Sequence, residues 1–148
     1  MSASVIAVCT SENKGERKRP VSEVNVTAGK GIDGDAHAGD WHRQVSLLAM
    51  ESIQKMQNLG LSVYPGDFAE NITTIGINLP SLPIGTKLKV GETIMEVTQI
   101  GKECHTRCAI YYQAGDCVMP KEGIFTRVVQ GGRIVSGDIV EIMGDSSL

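Results

Sequence analysis

The chain has 148 residues, 41% of them apolar and only 4% aromatic, and a formal net charge of −3. That length suits one domain spanning residues 1–148, with a core of Val, Ile, Leu, Met and Ala that needs no disulfide staples. The acidic balance excludes a general nucleic-acid binder, and no apolar run reaches the ~20 residues of a membrane span. Seventeen glycines exceed the usual share of roughly 7% and favour many turns between short strands. No basic leader precedes the first apolar run, so a cytoplasmic protein with its four cysteines reduced is expected.

Ser4 to Cys9 is a dense apolar run of strand length, with Cys9 as a small buried hydrophobe. Ser11 to Pro20 carries Lys14, Arg17, Lys18 and Arg19; such a run is expected to be a solvated loop, or else the rim of an anion site. Val21 to Thr27 alternates as a strand. Gly29 to Arg43 holds four glycines and three aspartates, which forbid a regular element and predict a long functional loop. Its Asp-x-Asp spacing lacks the rest of a calcium loop.

Gln44 to Ala49 predicts a strand running into a helix. There Met50, Ile53, Met56 and Leu59 form one apolar face, and Gly60 ends it. Glu70 to Ile75 alternates as a strand. Leu79 to Gly85, with two prolines, is a loop. Thr86–Val90 and Thr93–Ile100 flank Gly91-Glu92, a two-residue hairpin turn with Gly first. Phe125–Val129 and Arg133–Val135 around Gln130-Gly131-Gly132 predict a second hairpin, and Ile139–Met143 the last strand. About eight short strands with one or two helices, and no βαβ rhythm, predict a mainly β fold: a closed or nearly closed barrel.

The densest chemistry lies between Lys102 and Cys108, where two thiols, His105, Lys102 and Arg107 fall within seven residues. The four-residue spacing of Cys104 and Cys108 lets both sulfurs face one side in either a coiled or an extended segment. Nearby cations stabilise a thiolate, and a thiolate attacks, carries sulfur or binds a soft metal. Zinc held by Cys104, His105, Cys108 and Cys117 is the rival, but only one knuckle-like pair exists. No dinucleotide fingerprint or phosphate-binding P-loop is visible.

Several stretches together carry a family resemblance. They are Gly31-Ile-Asp-Gly-Asp-Ala-His37, Arg43-Gln-Val-Ser-Leu-Leu48, Pro65-Gly-Asp-Phe-Ala-Glu-Asn-Ile72, Leu82-Pro-Ile-Gly85, Glu96-Val-Thr-Gln99 leading to Cys104, Gly123-Ile-Phe-Thr-Arg-Val128, and Gly137-Asp138. In order and spacing the chain resembles a stand-alone MOSC domain, named for the C-terminal domain of molybdenum cofactor sulfurase, from about Gly31 to Met143.

The resemblance implies a barrel-like β fold and binding of the molybdenum cofactor (molybdopterin), or handling of the sulfur destined for it. It makes Cys104 the site cysteine, as a persulfide carrier or as a ligand of the metal, with Cys108 as a candidate second thiol. Many relatives carry a proline before that cysteine; here Glu103 stands there, and its carboxylate opposes the neighbouring cations.

Arg43, Arg127 and Lys102 are the candidate donors to the pterin phosphate. Asp35 and His37 are candidates to bind the pterin or orient a neighbour. Asn71 is a candidate ligand, and Glu70-Asn71 alternatively pin the loop through backbone hydrogen bonds. The pyridoxal-phosphate domain of the sulfurase has no counterpart here, so a cysteine desulfurase or molybdoenzyme partner is expected. A sulfur carrier or transfer protein is the leading expectation. The alternatives are a passive pterin-binding module and a molybdenum-dependent reductase of N-hydroxylated substrates fed by a partner electron donor.

Overall fold

The computed structural model describes residues 3–14, 16–101 and 119–143. Seven strands close a barrel. In spatial order they are β1 (Ala3–Thr10), β11 (Ile139–Ile142), β7 (Lys87–Val90), β8 (Thr93–Ile100), β9 (Ile124–Gln130), β5 (Val45–Ala49) and β6 (Ile72–Ile75), which returns to β1. The β11–β1 pairing, with Ala3 opposite Val140, makes the closure. Every pair in the ring is antiparallel except β5 with β6. β2 (Arg19–Val21) hangs on β1, and β3 (Glu23–Thr27), β4 (Gly31–Ile32) and β10 (Gly132–Val135) form a small second sheet.

The predicted strands are all present; β2 and β4, of three and two residues, are additions that alternation does not reveal. Alternate residues of the ring point inward. Val5, Val45, Leu47, Ile72, Leu88, Met95, Val97, Ile124 and Val140 fill the barrel, joined by Val24, Val26, Ile32 and Ile134 from the small sheet. Aliphatic side chains of this kind suit a pleated, buried surface, which is why a core with so few rings closes well.

Helix α1 (Met50–Asn58) follows β5 without a loop and buries Ser52, Ile53 and Met56. With Leu48, Val63, Phe68 and Phe125 it forms a second apolar cluster on the outside of the barrel wall. β5 is therefore buried on both faces, so its sequence is apolar at every position but Ser46 rather than alternating. A one-turn helix α2 (Met119–Glu122) precedes β9. Its Glu122 accepts from Ser52 Oγ at 2.6 Å and from Lys55 Nζ at 3.1 Å, tying α2 to α1.

One expectation is corrected. β9 and β10 are adjacent in sequence but do not form a hairpin: β9 sits between β8 and β5, whereas β10 pairs with β3. At Gly131 the chain passes so close to β3 that a Cβ there would lie 2.4 Å from the Val26 carbonyl oxygen. The glycines serve a crossing from one sheet to the other, not a tight reversal. The Gly91-Glu92 turn does join β7 and β8, with Val90 opposite Thr93.

Candidate functional site

The glycine-rich loop between β4 and β5 folds over one end of the barrel and carries Asp35, His37, Trp41, His42 and Arg43. Its anchor is Lys18, which reaches in from the loop before β2. The Lys18 side chain is entirely withdrawn from solvent, as is that of Asp35. The ammonium group donates to Asp35 Oδ1 at 2.8 Å, to Ser11 Oγ at 2.9 Å and to His37 Nδ1 at 2.9 Å.

Asp35 also accepts from the backbone N–H groups of Ser11 (3.1 Å) and His37 (3.0 Å). Burial pushes the Asp35 carboxyl up, but the Lys18 hydrogen bond, the two backbone donors and the Lys18 charge together bring it below its ordinary value. The loop is thus built around an ionised, buried pair. The expectation that the whole Lys14–Arg19 run is solvated fails at Lys18; its partner lies 17 residues away, a distance that no local pattern reveals.

Trp41 is the platform of the loop. Its indole N–H donates to the His37 carbonyl at 2.8 Å, and its ring lies nearly parallel to the His37 imidazole, 4° apart with centroids separated by 6.2 Å. Lys14 Nζ stands 4.4 Å from the Trp41 centroid. The Arg43 guanidinium stands 4.8 Å from Trp41 and 5.3 Å from Phe125. Two rings hold the guanidinium through cation–π attraction, while its buried Nε has no hydrogen-bond partner. Among the described residues no carboxylate pairs with Arg43.

The loop is fastened to the end of β8. Thr98 Oγ1 donates to the His42 carbonyl, and His42 Nε2 meets Gln99 Oε1 at 2.9 Å. Gln99 Nε2 donates to the Gly101 carbonyl at 2.7 Å. The chain then enters residues 102–118. Arg43 and His42 therefore sit beside the exit of β8, the strand that leads to Cys104.

The family model described as the MOSC domain matches residues 33–141. The chain belongs to the MOSC family. That family is linked to proteins of the molybdenum cofactor sulfurase type. YuaD from Bacillus subtilis has a similar structure, with a TM-score of 0.79 at 18% identity over 96% of each chain. YiiM from Geobacillus stearothermophilus gives a TM-score of 0.71 at 18% identity, over 96% of this chain and 75% of that one. YiiM from Escherichia coli gives 0.69 at 21% identity, over 97% of this chain and 70% of its own. No curated protein matches.

In this MOSC domain Asp35, His37 and Arg43 come together at one end of the barrel. Arg127 is engaged elsewhere on the surface: its Nε and Nη2 both lie 2.7 Å from Glu96 Oε1. Asn71 is fully enclosed. Its Oδ1 accepts from the Ser46 N–H at 3.0 Å and Oγ at 3.2 Å, and its Nδ2 donates to the Cys9 carbonyl at 3.1 Å. That amide stitches β1, β5 and β6 together. Glu70, equally enclosed, accepts from the Phe68 N–H and from Thr73 Oγ1.

Cys9 is buried, and its thiol is pushed up to about 12 by burial first and then by the nearby Glu70 carboxyl. It is not a nucleophile at neutral pH. Cys104, Cys108, Cys117, Lys102 and His105 lie outside the described residues. Among those described, no three His, Cys, Asp or Glu side chains gather as a metal site, and no helix is long and apolar enough to cross a membrane. Sequence reasoning missed Trp41, and it offered Lys14 and Lys18 only within a run whose alternative reading was the rim of an anion site. Trp41 is the chain's one tryptophan, and its position in a glycine-rich loop was the available signal.

Proposed function

We propose that this MOSC domain binds the anionic part of the molybdenum cofactor beside Arg43 and handles sulfur at Cys104. The observation that carries the reading is the Arg43 guanidinium. It is held in place by two aromatic rings, has a buried Nε without an acceptor, and lacks an acidic partner among the described residues. A guanidinium in that state is pre-organised for a phosphate or other oxyanion. Lys14, over the same tryptophan, adds positive charge.

These residues fit the phosphate arm of a pterin cofactor: Arg43 and Lys14 would hold the anion, and His37 and His42 would meet neighbouring polar atoms. When bound, the cofactor would supply a soft metal suited to a thiolate ligand.

Cys104 follows Gly101, just past the end of β8, by three positions in the sequence. For sulfur transfer, the Cys104 thiolate attacks the outer sulfur of a persulfide on a cysteine desulfurase. The partner's S–S bond breaks, its thiolate leaves, and a new S–S bond forms on Cys104. The sulfane sulfur carries its own oxidation state, so no external oxidant enters. A reducing compartment such as the cytoplasm suits this thiol chemistry.

Intact-mass analysis after incubation with a desulfurase and cysteine tests the reading. A gain of about 32 Da, one sulfur, that is lost on reduction and absent from Cys104→Ser supports it. Retained cofactor affinity with no sulfur loading in the wild type replaces it with a passive pterin-binding module. Turnover of an N-hydroxylated substrate by molybdenum-loaded protein with an electron donor replaces it with a reductase.

A further inference from the structure

Strand β8 carries an extra residue where it leaves the barrel. Val97 stands opposite Thr126 of β9, but Phe125, the next residue of β9, stands opposite Gln99, so Thr98 is a one-residue bulge. On a regular strand Thr98 and Gln99 would point to opposite faces, and a bulge re-aims them. Here both reach one residue of the glycine-rich loop. Thr98 Oγ1 donates to the His42 carbonyl and lies 3.1 Å from the Phe125 carbonyl. Gln99 Oε1 meets His42 Nε2 at 2.9 Å.

His42 immediately precedes Arg43. On the other side of Arg43, the Gln44 N–H donates to the Thr126 carbonyl at 3.0 Å. The Arg43 backbone is therefore gripped before and after, by β8 through His42 and by β9 through Gln44. Phe125, one of the two rings against the guanidinium, is also the residue whose carbonyl faces the Thr98 hydroxyl. We infer that Thr98 is a positioning residue: its hydroxyl, aimed by the bulge, sets the backbone before Arg43 and so holds the guanidinium against Trp41 and Phe125.

The need for such a grip follows from what Arg43 lacks. Among the described residues no carboxylate pairs with it, and its buried Nε has no hydrogen-bond partner. Its direction comes from its backbone and from the two rings. A guanidinium held in advance of its ligand loses less freedom on binding an oxyanion. Thr98 thereby sets anion affinity without touching the anion. That consequence rests on the proposed function, whereas the placement of Arg43 does not.

Two measurements test the inference separately. Proton–nitrogen spectra of arginine-labelled, ligand-free protein read the placement. The Arg43 Nε–H, assigned with Arg43→Lys, is expected to be shifted by the ring currents of Trp41 and Phe125. Thr98→Val keeps the shape and removes the hydroxyl, and is expected to move that signal toward the exposed arginines. Thr98→Ser, which keeps the hydroxyl, is expected to restore it. Gln99→Met loosens only the His42 ring, is expected to move the signal the same way by less, and serves where Thr98→Val does not fold. Trp41, the chain's one tryptophan, reports binding of inorganic phosphate by its fluorescence at constant ionic strength. Loss of the hydroxyl bond in Thr98→Val is expected to raise the dissociation constant about threefold or more, and Thr98→Ser to stay within about twofold of the wild type. An Arg43 signal unmoved in both Thr98→Val and Gln99→Met overturns the inference, and so does a Thr98→Val protein that binds phosphate as tightly as the wild type. A wild type that binds no phosphate, with the Arg43 signal still displaced in Thr98→Val, upholds the placement and counts against the proposed function.

Discussion

The Gly101 N–H donates to the Gly123 carbonyl over 2.7 Å. The end of β8 at Gly101 and the start of β9 after Gly123 are therefore neighbours on the rim, and residues 102–122 form an insertion between them in the sequence. Cys104 belongs to this insertion; Cys9 belongs to the barrel wall. The proposed chemistry requires the two to behave differently. Native protein treated with iodoacetamide at pH 7.5 is expected to leave Cys9 unmodified, because its thiol is buried and held near 12, and to modify Cys104. Denaturant makes Cys9 reactive. Peptide mapping reads both outcomes, and native labelling of Cys9 contradicts the enclosed thiol described here.

Gly66 lies against the backbone of the buried lysine. Its carbonyl accepts from the Lys18 N–H at 2.8 Å, and a Cβ on Gly66 would fall 2.2 Å from the Lys18 carbonyl oxygen at a φ of +93°. Gly60, at φ +95°, has open space around it. Gly60→Ala is expected to cost about 1–2 kcal/mol, the left-handed backbone strain alone. Gly66→Ala carries the same strain plus an overpacking cost of about 1–3 kcal/mol. Urea unfolding of the two variants measures the difference, and equal losses would remove the close approach from the account.

The barrel was legible because its signals are local. The apolar run of β1, the alternation leading into β6, the Gly91-Glu92 turn and the apolar face of α1 all declare themselves within a dozen residues. The Gly131-Gly132 pair misled because a glycine pair reads alike whether it reverses the chain or lets it cross another strand. The candidate site was half legible. Arg43, His37 and Asp35 stood out in a loop too rich in glycine to be a regular element. Lys18 did not, since a lysine among cations gives no sign that an aspartate 17 residues on will bury it. Asn71 was a candidate for ligand binding, with architecture slightly ahead, and its bonds to Ser46 and Cys9 are architectural.

Arg43 and Arg127 provide an internal comparison. Arg127 is neutralised by Glu96 on the surface, and such exposed pairs contribute about 1 kcal/mol or less. Arg43 has no acidic partner among the described residues, and hydrogen bonds to a charged group contribute about 1.5–3 kcal/mol. Arg43→Ala is therefore expected to weaken cofactor binding about tenfold or more, and Arg127→Ala less than about threefold. Arg43→Lys keeps the charge but loses the guanidinium fork and its contacts with the Trp41 and Phe125 rings, so it falls between them. Titration calorimetry with the isolated pterin cofactor ranks the three; an Arg127 effect equal to that of Arg43 would move the anion site to the Glu96 side.

Asp35 and Glu70 give stability opposite slopes with pH. The folded-state pKa of Asp35 is below its ordinary 3.8, so its contribution is complete above that value and is lost as pH falls through the folded one. Asp35→Asn leaves the Lys18 ammonium buried without its counter-charge, expected to cost about 3 kcal/mol or more at pH 7. Glu70 is raised from 4.5, by burial above all, against the pull of its hydrogen bonds. Between 4.5 and that raised value the folded protein binds more protons than the unfolded chain, so stability falls as pH rises. Glu70→Gln removes this decline while keeping an oxygen for the Phe68 N–H and an amide for Thr73. Urea midpoints measured from pH 4 to pH 9 are expected to slope downward in the wild type through the Glu70 window and to flatten in Glu70→Gln. A wild-type curve that is level there, with Glu70→Gln less stable throughout, would mean that the enclosed carboxyl ionises without cost.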